Sequence, residues 1–235
     1  MEISPKEDIS CFASETQRDV LKIICSNKLI SEHFFITGGT ALSVFYLHHR
    51  SSEDLDLFTI NYSKLDDIDE AFKRTFREDL ILIQSSTEFY SYLIKGVKVD
   101  VVFDPLSQDE ERAMVNLLSG GEILVDTLEN IASNKLCAIA SRFEEKDLID
   151  FFFIGKTFWM GARQPHFLKC YEMARKKEAL LDDPAMAAYQ VEQLLDRVLL
   201  EKERGISSMM VKIDWKTLEN DMRYYIHQIY EMQKW

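Results

Sequence analysis

Residues 34–59, FFITGGTALSVFYLHHRSSEDLDLFT, decide how this chain folds. An apolar run, Phe34-Phe35-Ile36, meets Gly38-Gly39-Thr40, which predicts a strand turning sharply into a helix over Thr40 to His49. At such a turn the unsatisfied N–H groups and the positive end of the helix dipole converge, an arrangement suited to a phosphate. Thr40 reads as the N-cap, and its hydroxyl and backbone N–H as phosphate contacts. A second strand, Asp54 to Ile60, follows. In it Asp54 and Asp56 share one face while Leu55 and Leu57 take the other. Two carboxylates side by side, aimed where a triphosphate would lie, make a magnesium site.

The pair Asp54–Asp56 gains meaning from its setting. Asp-x-Asp recurs by chance in an acidic chain and then marks solvated surface. Here the intervening and following residues are apolar, and the glycine turn precedes the pair by the length of one short helix. Downstream, Lys95-Gly96 signals a hairpin whose returning strand, Val97 to Phe103, alternates. Val97, Val99, Val101 and Phe103 take one face; Lys98, Asp100, Val102 and Asp104 take the other. That polar face can bring a third carboxylate beside Asp54 and Asp56, with Asp100 in mid-strand and Asp104 at the mouth. Arg50 lies close enough in sequence to Asp54 to reach phosphate oxygens. His48 and His49 lack a partner at metal-ligand spacing and read as a helix-end cluster. There is no Gly-x-x-x-x-Gly-Lys, which excludes a P-loop enzyme.

Composition narrows the class further. The 235 residues allow one large domain or two small ones, and low Gly and Pro with many Leu, Ile, Glu and Lys favour helix over a turn-rich β fold. A net charge of −12 excludes a generally basic nucleic-acid coat. Cys11, Cys25, Cys137 and Cys170 are scattered in apolar surroundings, as free thiols in a reducing compartment would be. The acidic N-terminus lacks a signal-peptide core, and the longest apolar run, 148–160, is interrupted by Asp150 and Lys156 and is too short for a bilayer. A cytoplasmic protein without a membrane partner is expected.

Ser14 with Gln17, Ser63, and Asp126 with Glu129 mark helix starts, and Ile123-Leu124-Val125 reads as a short edge strand. Beyond it nearly everything is helical: about 127–143, 145–160, 166–180, 184–203 and 214–232. The expected fold class is therefore α+β, with a mixed-sheet domain over 1–125 and a helical domain over 126–235 that completes a cleft. Lys135 shares a helical stripe with Leu128, Ile131, Ile139 and Arg142. It either snorkels to water or faces an anion. Asp147 starts or caps the next helix, and Asp150, followed by Phe151-Phe152-Phe153, needs a partner such as Lys135 or Arg142. Between Lys156 and Lys177 the basic residues Lys156, Arg163, Lys169, Arg175, Lys176 and Lys177 face only Glu172. They form either a helix end or a strip for a nucleic-acid backbone.

Taken jointly and in order, Gly38-Gly39-Thr40, Asp54, Asp56 and Asp100 resemble the pattern of polymerase-β-like nucleotidyltransferases. More narrowly, GGTAL…YLHHRSSEDLDLF and NKLCAIASRFEEKDLIDFF resemble the AbiEii/AbiGii-type nucleotidyltransferase toxins of bacterial toxin–antitoxin and phage-defence systems. The resemblance spans about Phe34 to Phe153. It implies a polymerase-β-like mixed sheet flanked by helices and transfer of a nucleoside monophosphate from an NTP with magnesium, in a two-ion site. On it Asp54, Asp56 and Asp100 hold metal, with Asp100 as base. Gly38, Gly39, Thr40, Arg50 and Lys135 bind nucleotide, and Asp147 matches the aspartate that follows the family's lysine. The resemblance makes the 3′ end of tRNA the first acceptor to consider and an antitoxin a partner. Transfer to a small molecule or protein side chain, and a non-catalytic nucleotide-binding module, remain the rival readings.

Overall fold

The structure is a computed structural model that describes residues 4–107, 111–159, 161–206 and 208–232. Residues 1–3 and Met160, where the sequence places the end of one helix, lie outside the described residues. The chain divides into two compact units, one up to Thr127 and one from Leu128.

The first unit is built on a seven-stranded mixed sheet. Its strands are β1 (Phe35–Thr37), β2 (Leu55–Thr59), β3 (Leu80–Ser85), β4 (Phe89–Ile94), β5 (Val97–Phe103), β6 (Ala113–Asn116) and β7 (Glu122–Val125), in the order β3-β4-β5-β2-β1-β7-β6. β2 runs antiparallel to β1 and parallel to β5, and β1 runs parallel to β7. Alternation made β5 legible: Val97, Val99 and Val101 are buried, whereas Lys98 and Asp100 are half-buried on the opposite face. The hairpin before it turns on Lys95 and Gly96, both with positive φ (52° and 82°), as a tight two-residue connection between right-twisted strands requires. The stretch 123–125 is not an edge strand. β7 is paired on both sides, and the edge belongs to β6, a four-residue strand too short to announce itself by alternation.

Helices α1 (Glu15–Cys25), α2 (Lys28–His33) and α4 (Lys64–Phe76) flank the sheet. Ser14 caps α1 by accepting from the Gln17 N–H at 3.1 Å. Ser63 stands at the start of α4, but its hydroxyl donates to Asn61 instead of capping. The buried face of α4 is Leu65, Ile68, Ala71, Phe72 and Phe76, and Phe72 meets Tyr92 of β4 edge-on with ring centroids 5.4 Å apart. The helix expected over Thr40 to His49 begins earlier, as α3 (Gly38–Ala41), and passes into a π-helical stretch, Leu42–Leu47. That stretch ends at His48, whose φ of 52° lets its N–H bond the Ser43 carbonyl at 3.0 Å. Apolar spacing cannot tell this five-residue bonding from the ordinary four.

The second unit comprises α5 (Leu128–Arg142), α6 (Glu145–Phe158), α7 (Arg163–Arg175), α8 (Pro184–Glu201) and α9 (Trp215–Glu231). α8 starts as its sequence dictates, with Pro184 in the first turn and Asp183 accepting from the N–H groups of Ala185 and Met186. Its aromatic core gathers Phe151, Trp159, Phe167 and Tyr225, the last two stacked at 4.8 Å. Among the described residues no helix is long and apolar enough to cross a membrane. Gly155 lets α6 approach this cluster: a Cβ there would collide with the Tyr225 hydroxyl and lie 3.2 Å from Cζ. Alanine would gain about 1 kcal/mol in helix propensity, but overpacking a core costs about 1–3 kcal/mol. Tyr225 is locked by rings on several sides, so the second effect wins. Gly155→Ala is expected to lower the urea midpoint, and an unchanged or raised midpoint would show that the cluster can yield.

Candidate active site

The site grows from the turn after β1. Gly38 has φ of +67°, and a Cβ on it would fall inside the carboxylate of Asp56, 2.9 Å from its Cγ. Gly39 is packed as closely: a Cβ there would lie 2.7 Å from both Arg50 Nη2 and Ser52 Oγ. The two glycines therefore let backbone approach the second strand's acid and the arginine that the sequence placed near it. Thr40 is not the N-cap, since α3 starts at Gly38 with Thr37 at that position. Thr40 is fully buried and its hydroxyl donates to the Asp54 carbonyl. Its side chain positions the strand entry, leaving its backbone as the part that can meet a phosphate.

Gln17 supplies a clamp that reading the residues missed. Its Nε2 donates to the Ser52 carbonyl at 2.8 Å and reaches the Asp54 carbonyl at 3.4 Å, while its Oε1 accepts from the Ala13 N–H at 2.9 Å. Its place three residues after Ser14 signalled only a helix cap; its near-complete burial is what reveals the second task. Arg50 is also buried, with Nη1 donating to the Ser51 carbonyl at 2.8 Å. Asp54 stands one residue before β2, not within it.

The carboxylates converge through strand register. Asp56 is directly opposite Asp100 in the parallel β2–β5 pair, and residues in register share a face. Asp100 accepts from Ser91 Oγ and from Lys98 Nζ, each at 2.5 Å. Burial pulls the Lys98 ammonium toward its neutral form, but the bond to Asp100 and the charges of Asp100, Asp54 and Asp56 outweigh it, holding Lys98 above its ordinary pKa. All three acids thus act on one cation. Carboxylate oxygens alone form a hard donor set of the kind magnesium takes. Asp104 lies apart, accepting from Ser107 Oγ at 2.5 Å.

In the second unit, Lys135 neither snorkels nor stands alone. Buried on α5, its ammonium lies 2.8 Å from Asp147 and 2.6 Å from Asp150, and Arg142 pairs with Asp147 at 2.7 Å. Burial pushes the Asp147 carboxyl up, but Lys135 and Arg142 more than reverse this and leave it below the usual range. Of the six basic residues between Lys156 and Lys177, three are engaged within the protein: Arg163 pairs with Asp221, Arg175 with Glu172 and Asp182, and Lys177 bonds Ser133 and Asn134. His48, which had no partner by spacing, meets Cys11 at 3.8 Å with Asp8 nearby. Its Nδ1 also faces the Ser43 carbonyl at 3.1 Å, and Asp8 accepts from Ser10, so protein contacts hold that cluster together.

A glycine turn with acids on neighbouring strands is the pattern that the resemblance to nucleotidyltransferases implied, and here the acids Asp56 and Asp100 pair across parallel strands. Over residues 19–229 the sequence matches the nucleotidyl transferase AbiEii toxins of type IV toxin–antitoxin systems, and the chain belongs to that family. JHP933 from Helicobacter pylori has a similar fold at 17% identity, with 94% of each chain covered and a TM-score of 0.55. MenT4, a nucleotidyltransferase toxin from Mycobacterium tuberculosis, is 12% identical over 92% of this chain and 82% of its own, with a TM-score of 0.58. A comparison with curated proteins returns no match.

Gly38→Ala is expected to displace the Asp56 carboxylate and to cost about 1–2 kcal/mol from its left-handed backbone alone. A thermal melt checks this, and a wild-type melting point would refute the close approach. Asp147→Asn leaves buried Lys135 with Asp150 and takes the carboxylate from the half-exposed Arg142, and should cost about 1–3 kcal/mol at neutral pH. A carboxyl with a lowered folded pKa stabilises above its unfolded pKa and ceases to do so as pH falls through the folded value. Denaturation of both proteins at pH 7 and pH 3 should therefore show the gap narrowing in acid.

Proposed function

We propose that the chain transfers a nucleoside monophosphate from an NTP to an acceptor hydroxyl, in a reaction that uses magnesium, at the carboxylate cluster of the first unit. The observation that carries this reading is Asp56 in register with Asp100, with Asp56 closed against the Gly38 turn. Asp54, Asp56 and Asp100 would hold the metal. When bound, it neutralises charge on the α-phosphate and the leaving pyrophosphate. The N–H groups of Gly39 and Thr40 at the start of α3, with Gly38 and Arg50 beside them, orient the triphosphate. Asp100, aligned by Ser91, accepts the proton of the attacking hydroxyl. The acceptor oxygen bonds the α-phosphorus as the bond to pyrophosphate breaks. Lys135 and Asp147 enter this assignment on the family resemblance alone.

The resemblance favours the 3′ end of tRNA as acceptor, an antitoxin as partner and the cytoplasm as location. A small molecule or protein side chain is the second reading. It is favoured by the −12 net charge and by the pairing of three of the six basic residues between Lys156 and Lys177. Incubating the protein with each labelled NTP, magnesium and total tRNA separates the two, since labelled RNA supports the first and label on a small acceptor or on protein the second. Asp56→Asn should abolish label transfer with the melt preserved, and Asp100→Asn should slow it about 10²–10⁴-fold. Transfer retained by Asp56→Asn would overturn the assignment.

A further inference from the structure

Lys98 and Asp100 are two residues apart on β5, on the face where Asp100 meets Asp56. The Lys98 ammonium is 2.5 Å from Asp100 Oδ2, and Ser91 holds Oδ1, so both oxygens of the third acid are engaged before any metal arrives. Asp54 and Asp56 act on the same ammonium through space. Most exposed lysine–aspartate pairs add little. This one differs because Asp100 is only 15% exposed and sits in a cluster of like charges. Three carboxylates in one place repel each other, and a resident cation relieves that repulsion.

Building on the nucleotidyltransferase assignment, we propose that Lys98 is a positioning residue that fills one cation position of the carboxylate cluster and competes with a divalent ion for Asp100. Because the Lys98 ammonium holds Asp100 Oδ2, an ion that takes this oxygen must displace the ammonium or share the oxygen with it. Lys98 and Ser91 together fix the orientation of Asp100. Without that cation the acid would be driven away from Asp56.

Binding of Mn2+ to the whole chain, followed without nucleotide by electron paramagnetic resonance of the free ion, tests this apart from activity. Wild type is expected to bind Mn2+, and Lys98→Met to bind about tenfold more tightly because one competing charge is gone. Lys98→Gln should tighten binding in the same direction and serves where Lys98→Met does not fold. Lys98→Arg, which keeps the charge, should stay within about twofold of wild type. If Asp56→Asn weakens Mn2+ binding while neither neutral variant tightens it, the metal site stands and the Lys98 role is overturned. If no protein binds Mn2+, the metal-site assignment fails and takes the Lys98 role with it.

Discussion

Residue 38 can have no side chain, and much of the first unit follows from that. The end of β1 must turn within hydrogen-bonding range of its antiparallel neighbour, and the Asp56 carboxylate occupies the space a Cβ would need. Because Gly38 accepts a positive φ, the turn brings the first N–H groups of α3 and an acid of β2 into one place. Everything around it keeps that meeting rigid. Thr37 donates to the buried Asp126 at 2.6 Å, fixing the end of β1. Thr40 and Gln17 hold the carbonyls of Ser52 and Asp54, fixing the entry to β2. Parallel pairing then sets Asp100 opposite Asp56 without any loop intervening. Rigid strands position catalytic groups better than loops do, and two of the three acids ride on strands.

What could be read from residues, and what could not, follows from the range of each signal. Alternation in 97–103 placed Asp100 on the polar face because a strand's period is short and its turn, Lys95-Gly96, is chemically explicit. The glycines before an apolar helix located the turn for the same reason. The pairing of β7 with β1 was invisible, since strand order depends on contacts across some 90 residues of chain, and a run such as Ile123-Leu124-Val125 looks alike at an edge or inside. The second tasks of Gln17 and Thr40 were hidden for another reason. A glutamine near a helix start and a threonine after glycines each have a sufficient local explanation, and only burial exposes the distant carbonyls they serve. The choice between a helix end and a strip for the basic residues in 156–177 stayed open for the same reason, since a partner such as Asp221 for Arg163 lies 58 residues away.

The chain handles its clustered acids in two physically different ways, and the contrast bears on which of them await a ligand. Asp147 and Asp150 are fully buried, and Lys135 and Arg142 answer them within one pair of helices. Buried charge is tolerated only with such closure, which these pairs supply. Asp54, Asp56 and Asp100 remain partly open to solvent, and the half-exposed Lys98 bonds the last of them. Their partial exposure lets water screen these charges and weakens their mutual repulsion. A cluster held acidic, rigid and open is poised to take up further positive charge. A sealed one is not. On that ground the first unit's acids, more than the deeper and tighter group around Lys135, are the place where an incoming metal and nucleotide would change the energetics most.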